Sequence, residues 1–261
     1  MTDDANSPPR AADDTDVPQH AEIVHRQDAN VTLQVALVAL FVTALVTAQL
    51  LAVKILVFEL PTNVPVVGEA VLVPAGVLAY AITFLATDCY AELYGERRAR
   101  RLVNVGFATL FVMLSLVWLA IVAPGSPAGV DPDAFASVMG PSTNIVVGGL
   151  LAYLLSQHWD VFAFHRLREY TEGRLLWVRN VGSTATSQAL DTTVFIVVAF
   201  LAAPTLLGIG NPLPLAVIAS LIVGQYLVKL LIALVDTPFV YVIVGYARTR
   251  GLAAPATPAI E

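Results

Sequence analysis

An all-α integral membrane protein of six transmembrane helices is the fold class this sequence predicts. Three observations lead there. Apolar runs of about 20 residues recur along the chain, the length an α-helix needs to cross a hydrocarbon layer about 30 Å thick. Basic residues keep almost entirely to alternate connections between those runs. A few carboxylates, amides and an ammonium sit inside the runs, where burying them is costly enough to imply a role. With 57% hydrophobic and only 13% charged residues, a water-soluble globular domain is excluded.

The elements follow in order. Residues 1–29 hold Asp3, Asp4, Asp13, Asp14, Asp16, Pro8, Pro9 and Pro18 with few apolar groups, the composition of a disordered, acidic cytosolic tail. Residues 30–247 form the six-helix transmembrane domain, and 248–261 a second disordered cytosolic tail. The first span, 31–58, carries Ala44, Ala48 and Ala52, a ridge of small residues suited to close helix packing. The next four cover 71–94, 102–123, 136–158 and 181–203. The sixth starts at 213 and can continue to 246. That exceeds one crossing, so it is tilted or broken, with Asp236-Thr237-Pro238 the expected break. No basic segment precedes a short apolar stretch and cleavage site, so the first span is expected to act as its own insertion signal. Cys89 is the sole cysteine, which leaves no disulfide framework and no cysteine-based metal cluster.

Orientation comes from the arginines. They fall in the amino-terminal tail (Arg10, Arg26), between spans two and three (Arg97, Arg98, Arg100, Arg101), between four and five (Arg166, Arg168, Arg174, Arg179) and after six (Arg248, Arg250). The alternate connections, 60–69, 124–133 and 204–212, contain no Lys or Arg. Both termini are therefore expected in the cytosol, and the chain in the cell membrane.

The polar residues inside the spans carry the functional expectation. Asp88 and Glu92 are four apart and share a helical face ahead of Gly95, which can end the helix in a left-handed cap, and the arginines follow. Asp88 lies about 13 Å along the helix from Arg97, a depth at which a carboxylate faces an interior, a partner or water. Lys229 lies well inside the sixth span with Gln225 a turn before it and Asp236 two turns after, all on one face. Thr184, Gln188, Asp191 and Phe195 form a polar stripe on the fifth span, and Gln157 and Asp160 end the fourth. Lys54, near the outer end of the first, can snorkel towards Glu59. Two accounts compete. The groups either only hold the helices together, through pairs such as Asp191–Lys229, or line a shared central cavity; their spread over several spans favours the cavity. The order Gln49, Lys54, Asp88 and then Asp191, Gln225, Lys229 suggests a three-plus-three inverted repeat.

Absent motifs narrow the class. No Gly-rich phosphate loop with Gly-Lys-Ser/Thr occurs, nor His-Glu-x-x-His, nor Gly-x-Ser-x-Gly. His20, His25, His158 and His165 lie outside the spans or at their ends. An enzyme is not expected, nor a cofactor or resident metal, and transport leads over a channel.

Four blocks of residues then resemble a known family. Phe84-Leu85-Ala86-Thr87-Asp88, with Glu92-Leu93-Tyr94-Gly95 and Ala99-Arg100, is similar to the signature of the queuosine-precursor transporters, also called the vitamin uptake transporter family. Ala152-Tyr153, Gln157 and Asp160-Val161-Phe162, with Phe164, Arg166, Leu167 and Arg168, resemble its Gln-x-x-Asp-Val segment. Arg179-Asn180, Ser183-Thr184, Ser187-Gln188 and Asp191-Thr192 resemble its fifth helix, and Gln225-Tyr226, Lys229 and Pro238 its sixth. The likeness covers 31–246. One departure is Asn144, where the family pattern has an Arg; it puts substrate preference or ion coupling in question.

The resemblance implies six-helix import of a 7-deazaguanine base, 7-cyano-7-deazaguanine or its aminomethyl analogue, precursors of queuosine and archaeosine. A guanine-like base presents N1–H and a 2-amino group side by side, which one carboxylate can accept bidentately; Asp88, Glu92 or Asp191 would supply it. Gln188, Gln157, Asn180 or Lys229 would meet O6 and the nitrile, with Asp160 and Gln225 as further substrate-binding candidates. Tyr90, Tyr94, Phe84 or Trp159 would stack on the ring. Ion coupling would run through protons on Asp88 or Glu92. The partners expected are the small-molecule base and the lipid bilayer, with no nucleic acid; a homo-oligomer and a separate ATPase module stay open. The alternatives are a substrate-binding subunit docked on such an energy-coupling ATPase, for instance through the Ala44-Ala48-Ala52 ridge, and a non-transporting membrane scaffold or receptor.

Overall fold

The structure, a computed structural model, describes residues 16–64, 68–170 and 176–252. In chain order the elements are α1 (Asp16–Leu51), β1 (Ile55–Val64), β2 (Gly68–Pro74), α2 (Gly76–Tyr94), α3 (Glu96–Val122), α4 (Pro132–Met139), α5 (Ser142–Tyr170), α6 (Leu176–Val197), a π-helical turn (Val198–Ala202), α7 (Ala203–Leu207) and α8 (Leu215–Thr249). Among the described residues, five helical segments are long and apolar enough to cross a membrane: Gln27–Leu51, Glu96–Val122, Pro132–Leu167, Gly182–Leu207 and Leu215–Thr249. At 19 residues α2 is about 28 Å long. Thr83, Thr87, Asp88 and Glu92 make it less apolar, and it is not among the five.

The helices are apolar outward and polar inward, the reverse of a water-soluble bundle. Val105, Phe111, Val112, Leu116, Leu119 and Val122 of α3 are exposed, whereas Gln49, Asn144, Ser156, Thr192, Gln225 and Lys229 are buried. Only a hydrocarbon solvent makes such an exterior stable, and the helical form satisfies the backbone within each segment. The chain is a multi-pass membrane protein.

The largest departure from the sequence expectation lies between α1 and α2. Residues 55–58 and 71–74, read above as the end of one span and the start of the next, form an antiparallel hairpin pairing Ile55 with Pro74 and Phe58 with Val71. Ile55, Val57 and Phe58 on β1 and Val71 and Val73 on β2 suit the paired part of the strands, and Pro61 forbids a continuous helix. The all-α description thus needs this two-stranded insertion. Lys54 consequently lies in the turn after α1, exposed, rather than inside a helix. The carbonyl of Leu72 on β2 rests directly against Gly224 of α8, where any side chain would collide with it.

Other boundaries shift. The described part of α1 begins at Asp16, well before residue 31. Residues 136–139 belong to the short α4, capped by Asp131 accepting from the Ala134 amide at 2.9 Å, and α5 continues to Tyr170. α8 passes through Pro238 as one helix rather than breaking there. Gly95 adopts φ 90°, ψ 150°, outside the left-handed helical region but equally reserved for glycine, and turns α2 directly into α3.

Small residues set the helix spacing around the interior. Ala44, Ala48 and Ala52 are all buried, and a Cβ on Gly76 would strike the Ala48 carbonyl and approach the Ala52 Cβ to 2.9 Å. The α1 ridge is therefore occupied by α2. Gly148 of α5 likewise lies against the π turn and the end of α6, where a Cβ would come within 3.0 Å of the Phe195 carbonyl and 2.9 Å of the Ala199 Cβ. That turn also widens the helix beside Phe195, which lines the cavity described next.

Candidate functional site

Three helices converge on one carboxylate. Lys229 of α8 donates from Nζ to Asp191 Oδ2 at 2.7 Å, and Ser156 Oγ of α5 donates to the other oxygen, Oδ1, at 3.3 Å. The Lys229 side chain is 8% exposed and that of Asp191 24%. Burying an ion pair is stabilising only when geometry is good and the remaining lone pairs find donors, which Ser156 helps to supply. Asp191 keeps its residual exposure because open space lies on both sides of it.

Those spaces are two cavities that share Tyr80, Phe84, Asp191 and Lys229 as their common wall. One opens towards the hairpin and is bounded by Pro74, Gly76, Gln49, Gly149, Phe195 and Gln225. The other extends towards the arginine-rich end of α3 and includes Thr87, Phe107, Tyr153, Gln157, Ser187 and Gln188. Tyr80 and Phe84 pack edge to face at 5.4 Å, presenting aromatic surface at the divide. A flat heterocycle with donors and acceptors on its rim has the complementary character: carboxylate and ammonium for the rim, rings for the face.

The structure brings some of the sequence candidates together and separates others. Gln157, Gln188, Asp191, Gln225 and Lys229 line the two cavities. Asp88 and Glu92 do not. They lie in a separate groove between α2 and α8 with Thr237, Tyr241, Val244 and Arg248. There Arg248 donates to Glu92 Oε2 at 3.1 Å, both side chains being more than half exposed. The cause is helical drift: steps of four residues advance about 40° around the axis, so Asp88 and Glu92 point about 80° and 120° away from Tyr80. Asp236 keeps the face of Gln225 and Lys229, but lies about 10 Å further along α8, clear of both cavities. Its Oδ2 is buried without a hydrogen-bond partner. Asp160 is also outside both cavities, its Oδ1 buried and unpartnered. The Asn180 side chain lies outside the described residues.

Among the aromatic candidates only Phe84 reaches the cavities. Tyr90 accepts from Gln34 Nε2 at 2.9 Å and Tyr94 donates to Asn30 Oδ1 at 3.0 Å, so these two fasten α2 to α1. Trp159 packs on Phe162, 5.7 Å between centroids, and is 41% exposed. Asn144 donates from Nδ2 to the Ile209 carbonyl at 2.7 Å, tying α5 to the segment before α8, and borders neither cavity. The substitution relative to the family pattern therefore falls on a tether between elements.

Residues not on the sequence-derived site also line the cavities, notably Gln49, Tyr80, Tyr153 and Ser156. Tyr80 had a usable signal, standing one turn before Phe84. Ser156 had none, because a serine in a membrane helix commonly bonds its own backbone. Here it also contacts the Tyr153 carbonyl at 3.2 Å.

Residues 74–243 match the family model described as "Putative vitamin uptake transporter". The chain is 34% identical over 167 residues to the probable queuosine precursor transporter of Bacillus subtilis, covering 64% of this chain and 69% of that protein. It is 30% identical over 131 residues to the queuosine precursor transporter of Escherichia coli, covering 49% and 56% of the two chains. A Haemophilus influenzae relative, a probable queuosine precursor transporter, is 29% identical over 128 residues, covering 48% and 51%. The match thus spans little more than half the length of the latter two relatives. No solved structure matches. The model match, over well more than half of the chain, and the Bacillus relative together place this protein in the vitamin uptake transporter family.

Proposed function

We propose that this chain imports a queuosine precursor across the cell membrane, with 7-cyano-7-deazaguanine as the substrate form. The observation that carries the reading is the buried Asp191–Lys229 pair standing in the wall between two cavities. Asp191 would accept N1–H and the 2-amino group of the base, Lys229 would donate to O6, and Phe84 and Tyr80 would cover the ring. Binding would exchange one set of charge-assisted contacts for another, so the pair can open without leaving either charge bare. The 7-substituent lies beside O6, so with Lys229 at O6 the nitrile, an acceptor, is favoured over an aminomethyl cation set next to the ammonium.

In this reading six segments cross the membrane, α2 among them, with both termini in the cytosol. The hairpin-side cavity then faces outward and the arginine-side cavity inward, an arrangement suited to alternating access. The two shielded glutamines, Gln49 and Gln225, border the same cavity from α1 and α8. That is the relation an inverted repeat would produce, although Lys54 and Asp88 form no counterpart to Lys229 and Asp191. Proton coupling through Asp88 or Glu92 would act at a distance, by altering how α2 sits on α8. Packing of the Ala44-Ala48-Ala52 ridge against α2 removes one surface on which an ATPase module could dock, which favours the self-sufficient transporter.

The test is accumulation of labelled 7-cyano-7-deazaguanine by cells that cannot synthesise it, with this chain as the only importer. Uptake abolished by a protonophore supports the ion-coupled reading. Uptake indifferent to it, or absent unless an ATPase module is co-expressed, contradicts that reading.

A further inference from the structure

Gln49 and Gln225 enter the hairpin-side cavity from different walls, α1 and α8, and both are more than nine-tenths buried. The Oε1 of each is buried with no hydrogen-bond partner. Buried carboxamide oxygens are ordinarily paired, so an orphaned one at the edge of a cavity points to a ligand that supplies a donor there. Around Gln49 the walls are small: Ala48, Ala52, Ala152 and Gly149, where an added Cβ would sit 3.9 Å from Gln49 Oε1.

The order of groups around the substrate assigns the glutamine, and here the argument rests on the function proposed above. Round the rim of a 7-deazaguanine come O6, N1–H, the 2-amino group, N3 and N9–H. With Lys229 at O6 and Asp191 at N1–H and the 2-amino group, the next pair in the same sense is N3, an acceptor, and N9–H, a donor. Gln225 is one turn from Lys229 on the same helix and belongs at the O6 end, where the base presents acceptors and only its Nε2 could donate to them. Gln49 comes from a different helix and belongs at the other. A carboxamide matches an adjacent acceptor and donor bidentately: Nε2 donates to N3 and Oε1 accepts from N9–H. We propose that Gln49 is a specificity-determining residue that reads the free N9–H, so that the site admits the base and rejects N9-substituted forms, nucleosides included.

The experiment measures uptake of labelled 7-cyano-7-deazaguanine with its 9-methyl derivative as competitor. A site built to accept a hydrogen bond discriminates strongly against an analogue that lacks the donor, so the 9-methyl compound should inhibit the wild-type chain at least roughly tenfold more weakly than unlabelled base. Gln49→Met keeps the length and removes the hydrogen bonding; it should weaken the base and leave the 9-methyl compound unchanged, collapsing the discrimination. Gln225→Met should weaken both compounds together and preserve the ratio. Gln49→Asn, which withdraws the amide by one methylene, replaces the Met variant if that one does not insert, with the same collapse expected. Equal inhibition of the wild type by the two compounds, or discrimination that survives loss of Gln49, overturns the role of Gln49 while leaving transport standing. No uptake of the base by the membrane-inserted wild type overturns the transport reading and this inference with it.

Discussion

Two regions of this protein set a carboxylate against a basic side chain, and they differ in nearly everything else. At Asp191–Lys229 the contact is 2.7 Å, the ammonium is 8% exposed, and cavities lie on both sides. At Glu92–Arg248 the contact is 3.1 Å and both partners are more than half exposed, in a groove between α2 and α8. The first pair is held by three helices, with the lysine side chain largely buried; the second lies near the last turns of two helices. The difference teaches that in a membrane bundle the direction a charged residue faces matters as much as its depth. Asp88 and Glu92 are spaced as a functional pair would be, yet α2 turns them off the cavity and offers Tyr80 and Phe84 instead.

The sharpest way to break the comparison is to remove one charge from each pair. Asp191→Asn leaves the Lys229 ammonium buried without a counter-charge and should cost roughly 3–5 kcal/mol of stability together with uptake. Adding Lys229→Met should restore much of the stability, read as the thermal midpoint in detergent, and none of the uptake. Recovery of both would reduce the pair to a structural tie. Next comes Gly76→Val, which drives a side chain into the Ala48 carbonyl and displaces the helix on which both regions depend. Overpacking of this kind costs roughly 1–3 kcal/mol and should lower the yield of inserted protein as well as uptake. A smaller effect is expected for Phe84→Ala: loss of an aromatic contact is worth roughly 0.5–1.5 kcal/mol, read as a higher KM for the base with maximal rate retained. Smallest is Glu92→Gln, which should change stability by less than about 1 kcal/mol and leave substrate affinity intact. If protons couple through this groove, the variant's uptake loses its dependence on the proton gradient; unchanged dependence excludes Glu92 from coupling.

Much of this arrangement could be read from the chain before any coordinates. The apolar runs announced the membrane helices, and Asp191 and Lys229 stood out because charges inside such runs are rare. The hairpin was hidden for a physical reason. Ile55-Leu56-Val57-Phe58 and Val71-Leu72-Val73 are short apolar runs, which periodicity cannot assign to helix or strand, and they adjoin true helices at both ends. Only Pro61 and Pro65 hinted at the turn. The misreading carried Lys54 into the membrane with it. Gln49 stood out only through the suggested repeat, not as a site residue. What distinguishes it is that its oxygen has no hydrogen-bond partner, a fact that exists only once α1, α5 and α8 are placed around one cavity.

The central claim is that the Asp191–Lys229 pair is where the substrate binds. Equilibrium binding of labelled 7-cyano-7-deazaguanine to the purified, detergent-solubilised chain tests it most directly, with wild type compared against Asp191→Asn/Lys229→Met and Glu92→Gln. The account predicts saturable binding to the wild type and to Glu92→Gln, and none to the folded double variant. Undiminished binding by the double variant, or loss confined to Glu92→Gln, would contradict it.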